Sequence, residues 1–362
     1  MNRAVGYMIL MAVVVSMTVS SCSGLIDSYT SSIPIRVRMK SVESKSAPIT
    51  TESISEFQLI AIADGPYHDN EQNHPAGFYF EERVSRSGIN WGMDNDHFWL
   101  NQVSLHFWSY SPTSSNLNTA AKGLLQVQRP SAGDSSLGFS YSLPTHVEGA
   151  DADVQKDIVF ACNSESRTFG GSGVTGHTSS NTAYIRNDNE VDIVFHHALS
   201  EVCFSVSPTD GSFDTEGLQI VDIAISDIAG NGECSFSLPN NFAWTWGESD
   251  KVYSQTVNAT FDTCPDGWTQ SIFNDDQTLY TFDNAFFMIP QELTNAVLSV
   301  TFKRNGEDPR VIKDVLLNDI WEPGKYYKYK IGATRVGLVD INLSVTLSIH
   351  AWEEIGNSTI LE

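Results

Sequence analysis

The chain has 362 residues, 41% hydrophobic and 11% aromatic, enough apolar material to fill two ordinary cores. Its 44 acidic residues against 21 Lys and Arg give a formal net charge of −23. No basic stripe offsets that charge, which excludes nucleic acid as an expected partner, and acidic loops such as "DGPYHDNEQN" and "NGEDPR" read as a solvated surface.

The N-terminus, "MNRAVGYMILMAVVVSMTVSSCSG", places one Arg before an apolar stretch over residues 4–19, followed by small residues up to Cys22. This is the layout of a signal peptide over residues 1–21, too short and too weakly flanked for a spanning helix. The ending "VSSC" resembles the bacterial lipobox, whose cysteine becomes the lipid-modified first residue of the mature chain. Cys22 is therefore the expected lipidation site, with membrane lipid as its partner. Several acyl chains, at about 0.8 kcal/mol per buried CH₂, would hold the protein firmly to a membrane. No later run of about eighteen apolar residues offers a second span.

Residues 22–45 form an N-terminal segment containing one expected strand, "IPIRVRMK", in which Ile33, Ile35, Val37 and Met39 share a face. Beyond it, short alternating stretches recur, including "SEFQLIAIA", "QVSLHFWSYSP", "LGFSYSLP", "DIVFAC", "EVDIVFHHAL", "LQIVDIAISDI", "AVLSVTFKR", "YYKYKIGA" and "VDINLSVTLSIHAW". Gly, Asn, Asp, Pro and Ser clusters separate them, as turns require. Past the signal peptide no long 3.6-residue period appears, so the expected fold class is all-β, built of sandwiches. The polar run over residues 163–189 is the expected domain boundary, dividing the chain into an N-terminal β-sandwich domain at 46–187 and a C-terminal one at 188–362.

No motif for catalysis stands out. "GSGVTG" at 171–176 fits the glycine pattern of dinucleotide sites, but no strand leads into it and no helix leaves it. The adjacent His196 and His197 lie on an alternating stretch, where they point to opposite faces and cannot share an ion; they are expected to be structural. Asp94 with Asp96, and Asp151 with Asp153, are ordinary acidic loop pairs. No cofactor, no metal and no enzymatic activity are expected. Besides Cys22 there are Cys162, Cys203, Cys234 and Cys264, none in a CxxC pair; export permits disulfides, yet the apolar settings of Cys162 and Cys203 favour free buried thiols. Trp244 and Trp246, at i and i+2, would share one face of a strand, either packed in a core or available to stack on sugar rings.

Several segments, in order, carry a resemblance. They are "SKSAPITTESISEFQLIAIA" (44–63), "NDHFWLNQVSLHFWSYSP" (95–112), "LGFSYSLPTHVEGADADVQKDIVFAC" (137–162), "EVDIVFHHALSEVCFSV" (190–206), "FFMIPQELTNAVLSVTF" (286–302), "WEPGKYYKYKI" (321–331) and "VTLSIHAW" (345–352). With the lipobox in front, the chain resembles the fimbrillin family, the lipoprotein-derived subunits of type V pili in Bacteroidales. The resemblance implies two tandem transthyretin-like (Greek-key) β-sandwich domains and a surface-exposed outer-membrane lipoprotein that becomes part of a fimbrium. Its implied partners are other fimbrillin subunits, with a host or glycan ligand. It further implies that a protease removes the first strand and that a neighbouring subunit's strand fills the groove. Family members commonly carry Arg at the cut; here Lys45 stands at that place, with Arg38 upstream as the other expected site. Residues 339–352 are the expected donor, with Ile341, Leu343, Val345, Leu347 and Ile349 on one face, or else the last strand of their own domain. The other functional reading is a monomeric surface lipoprotein that binds a glycan or host ligand.

Overall fold

A computed structural model describes residues 30–39, 54–69, 72–88, 90–100, 103–113, 123–144, 146–147, 155–166, 190–208, 218–237, 241–260, 268–273, 277–282, 285–304, 306–336 and 340–351. Every regular element among them is a strand, as the period-2 patterning requires. On the N-terminal side run β1 (Thr30–Pro34), β2 (Arg36–Met39), β3 (Glu56–Ala63), β4 (Tyr67–Asp69), β5 (Gln72–His74), β6 (Gly77–Ser87), β7 (Asn90–Met93), β8 (Phe98–Leu100), β9 (Ser104–Ser111), β10 (Leu124–Val127), β11 (Ser136–Ser142), β12 (His146–Val147) and β13 (Val159–Ser166). Then follow β14 (Glu190–Ile193), β15 (His196–His197), β16 (Ser200–Pro208), β17 (Leu218–Ile228), β18 (Asn231–Ser237), β19 (Asn241–Trp246) and β20 (Lys251–Thr260). The last are β21 (Trp268–Phe273), β22 (Gln277–Phe282), β23 (Phe286–Met288), β24 (Ala296–Arg304), β25 (Arg310–Leu317), β26 (Lys325–Val336) and β27 (Asp340–Ala351).

Three hydrophobic clusters are separated by sheets whose strands bury both faces. The sheet β15-β13-β9-β3-β6-β7 shows this most clearly. On β3, Phe57, Leu59, Ala61 and Ala63 enter an N-terminal core, whereas Ile60 and Ile62 enter a middle core. On β9, Leu105 and Phe107 face the first and Trp108 and Tyr110 the second. A strand covered on both sides therefore reads as an almost unbroken apolar run. The sheet β21-β22-β16-β26-β27 behaves alike: Cys203 of β16 joins the middle core, while Val202, Phe204 and Val206 join a C-terminal core with Tyr327, Tyr329 and Ile331 of β26. The sheet β12-β20-β17-β24-β25 closes that last core through Ile223, Ile225, Tyr253, Leu298 and Val300.

Strands from the two sides of the 187/188 line share sheets. β11 pairs antiparallel with β18 over seven residues, from Ser136↔Ser237 to Ser142↔Asn231, and β12 lies parallel to β20. In the opposite direction, β14 pairs with β2 and β15 with β13. The buried side chain of Gln155 strengthens the connection by imitating a backbone: it donates to the Phe287 carbonyl, its Oε1 accepts from the Phe287 N–H at 2.9 Å, and the Tyr253 hydroxyl donates to the same oxygen at 2.7 Å. Gly123 shows the local cost of this packing, since its φ is +90° and an added Cβ would sit 2.4 Å from the Tyr141 hydroxyl.

Candidate functional site

The first strand pair occupies a seat assembled from distant parts of the chain. β1 runs antiparallel to β8, with Thr30 opposite Leu100 and Pro34 opposite Phe98. At Ile35 the chain changes partners: the Ile35 N–H donates to the His97 carbonyl at 2.7 Å, and β2 then runs parallel to β14 in the register Arg36↔Glu190 to Met39↔Ile193. Alternation along β2 turns Ile35 (2% exposed) and Val37 (8%) into the N-terminal core beside Val191, Ile193 and Phe195. Phe195 meets Phe57 edge to face at 5.3 Å, and the Asn163 side chain donates to the Asp192 carbonyl at 3.2 Å, so the β14 wall is fixed from behind. Burying these two aliphatic side chains stabilises the seated strand by about 1.5–3 kcal/mol each.

The outer face carries the charge. Arg38 donates through Nε to Asp192 Oδ1 at 2.7 Å, its Nη2 lies 2.6 Å from the same oxygen, and its Nη1 lies 3.1 Å from Glu190 Oε2. The hydrogen bond and charge of Asp192, aided by the charge of Glu190, raise the Arg38 pKa further above its ordinary value. Arg38 was expected as a processing site, and it sits in a paired strand with an engaged side chain. A protease that binds extended, unpaired backbone can cut there only after β2 leaves β14. Cys22 and Lys45 lie outside the described residues.

The other expected positions fall elsewhere. β27 pairs antiparallel with β26 over twelve residues, placing Ile341 opposite Arg335, Leu343 opposite Ala333, Val345 opposite Ile331, Leu347 opposite Tyr329 and Ile349 opposite Tyr327. It is the last strand of its sheet. Trp244 and Trp246 both lie on β19, also an edge, but differ in depth. Trp244 donates its indole N–H to the Ala198 carbonyl at 3.0 Å and meets Phe139 edge to face at 5.3 Å, whereas Trp246 is 43% exposed. His197 is buried and its Nδ1 is 2.7 Å from Asp157 Oδ2, a partner 40 positions upstream that sequence spacing could not reveal. Glu190 and Asp192 were missed as well. Their alternation with Val191 and Ile193 was legible, but their cation lies 154 residues away from Asp192.

Among the described residues, no group of three or more His, Cys, Asp or Glu side chains could hold a metal ion. Cys162, Cys203 and Cys234 are free thiols, and Cys264 lies outside the described residues. Burial pushes the Cys162 thiol up to about 12 and raises Cys203 and Cys234 also, which removes the thiolate needed for nucleophilic chemistry at neutral pH.

The fold is similar to that of several solved bacterial structures at low identity. Two are described as candidate cell adhesion proteins. The one from Bacteroides ovatus has 12% identity and a TM-score of 0.47, covering 89% of this chain and 98% of its own. The other, from Bacteroides uniformis, has 12% identity and a TM-score of 0.43, covering 88% and 98%. A third is the C-terminally truncated tip fimbrial protein Mfa3 of Porphyromonas gingivalis, with 12% identity, a TM-score of 0.34 and coverage of 88% and 98%. No curated protein matches the sequence significantly. The sequence profile of the fimbrillin-like family does match residues 173–352, along β14 to β27 and the residues just before them.

Proposed function

We propose that the protein is a structural and adhesive subunit of a cell-surface pilus, exported as a lipoprotein precursor and assembled by strand exchange after proteolytic trimming. In this reading Cys22 carries the lipid in the outer membrane, the two sides of the chain are two transthyretin-like sandwiches divided near 187/188, and other fimbrillin subunits are the partners. The match of residues 173–352 to the fimbrillin-like family supports the surface role. The observation that carries the exchange step is the seat of β1 and β2. This segment brings Ile35 and Val37 into a core otherwise built by later residues, with Met39 packed against it, and is held further by edge pairing and a surface ion pair. Removing such a strand leaves a groove with unpaired backbone, the geometry that accepts an incoming strand.

Mass spectrometry of surface-exposed material tests this. Chains beginning after Lys45 or Arg38, recovered in polymers, are the expected result; surface material consisting only of chains that begin at Cys22 overturns pilus incorporation. Replacing Cys22 with Ser should leave the precursor unprocessed, and normal maturation and membrane retention of that variant would refute lipidation.

One observation favours the monomeric glycan-binding reading: Trp246 presents an exposed aromatic face on an edge strand. Trp244 is engaged in the middle core, so stacking would rest on Trp246 alone. A glycan array on the folded protein, repeated with Trp246→Ala, separates the readings. Signal lost in the variant supports the binder.

A further inference from the structure

The seat of β2 reads charge as well as shape. Ile35 and Val37 fill the two inward positions, Arg36 and Arg38 occupy the outward ones, and the parallel register sets Glu190 opposite Arg36 and Asp192 opposite Arg38. Both carboxylates address Arg38, the residue directly after the second aliphatic position. They belong to β14, which the β13 side chain Asn163 ties to the adjoining sheet, so they remain in place when residues 30–39 depart. Departure removes a cation from two acids two residues apart on one strand face of a chain whose net charge is −23. A strand with a neutral or acidic residue at that register restores the apolar contacts but not this cation.

We propose that Glu190 and Asp192 are the specificity-determining pair of this seat. The polypeptide strand that replaces residues 30–39 carries two aliphatic residues two apart, followed immediately by Arg or Lys. This rests on the strand-exchange reading above and adds a partner rule to it. The rule has a consequence for the chain's own candidate donor. Along 340–351 the polar alternates are Asp340, Asn342, Ser344, Thr346, Ser348 and His350, with no Arg or Lys. The seat therefore selects a strand from a different polypeptide over the C-terminal strand of a second copy.

Fluorescence anisotropy with labelled peptides and the full-length chain tests the rule, because the chain's own strand competes equally with every peptide. The probes are the sequence of residues 30–39, the same peptide with Arg38→Glu, and the sequence of residues 340–351. The Arg-bearing peptide should bind roughly three- to tenfold more tightly than either other peptide, with the advantage shrinking at high salt. In a chain carrying Glu190→Lys and Asp192→Lys, the order of the first two should invert. Equal binding, absence of inversion, or tightest binding of the 340–351 peptide overturns the charge rule while strand exchange stands. Repeating the measurement in a Val37→Ser chain, whose own strand is held more weakly, covers slow exchange. If no peptide enters that chain either, the seat is a permanent part of the fold and both readings fail.

Discussion

Among the described strands, β2 near one end of the chain and β27 near the other both lie at edges, and they are held in opposite ways. β2 has four parallel pairs with β14, one buried aliphatic side chain of its own, Val37, a second in the preceding Ile35, and a surface cluster of charges. β27 has twelve antiparallel pairs with β26, each backbone hydrogen bond contributing about 0.5–1.5 kcal/mol net. A strand attached by a short ladder and two side chains can be exchanged without dismantling the sheet beneath it. One attached by a long ladder protects that sheet, and β26 supplies Tyr327, Tyr329 and Ile331 to the C-terminal core. Terminal position alone thus does not decide which strand is replaceable. The length of the ladder and the number of side chains in the core decide it.

The comparison breaks most directly by deletion. Removing residues 340–351 should produce the largest loss of stability, above about 4 kcal/mol, because it uncovers the whole β26 edge. Chemical denaturation checks this; a truncated chain as stable as the intact one would make β27 the loosely held strand. In the seat, Ile35→Ala should cost about 2–4 kcal/mol through lost burial and an unfilled cavity. Limited proteolysis should then show earlier cutting in residues 36–46, with the C-terminal core still resistant.

Between the two regions, Gln155→Leu should cost about 1–3 kcal/mol by leaving the Phe287 N–H and carbonyl without their side-chain partner. If the two sides are mechanically coupled there, hydrogen exchange should quicken in β23 and β20 before it changes in β2. The smallest effect at neutral pH comes from titration. Burial raises Tyr110 and Tyr327 to about 12 from an ordinary value of 10 and Cys162 to about 12 from 9. Each stabilises the folded state fully below its unfolded pKa, and that stability is lost as pH rises towards 12. Tyr110 and Cys162 belong to or pack on the middle core and Tyr327 belongs to the C-terminal core. Denaturant midpoints should therefore fall from about pH 9 upward, with the middle and C-terminal cores loosening before the β2 seat. Loss of the seat first would reverse the comparison.

Much of the strand pattern was legible because period-2 alternation is local: "LGFSYSLP" alone announces that Phe139 and Tyr141 share a face, and both enter the middle core. The same rule put Trp244 and Trp246 on one side of a strand, but it carries no information on how far along the strand the covering layer extends. The neighbouring strand and the Phe139 ring cover Trp244 and leave Trp246 in solvent. The histidine pair followed the local rule also, with His197 buried and His196 half-buried, whereas the pairing of His197 with Asp157 required β13 and β15 to meet.

The sequence by itself determined many of the strands and their apolar faces, and that the chain is a negatively charged all-β protein, since each follows from side chains a few positions apart; β6, β18, β20 and β25 were not among the stretches it announced. Only the tertiary structure decided that residues 36–39 lie against 190–193, that β11 continues into β18 across the expected boundary, and that Glu190 and Asp192 converge on Arg38. Any two strands of matching alternation can pair in principle. The choice among them is made by burying all three cores at once, a condition on the whole chain that no local pattern contains.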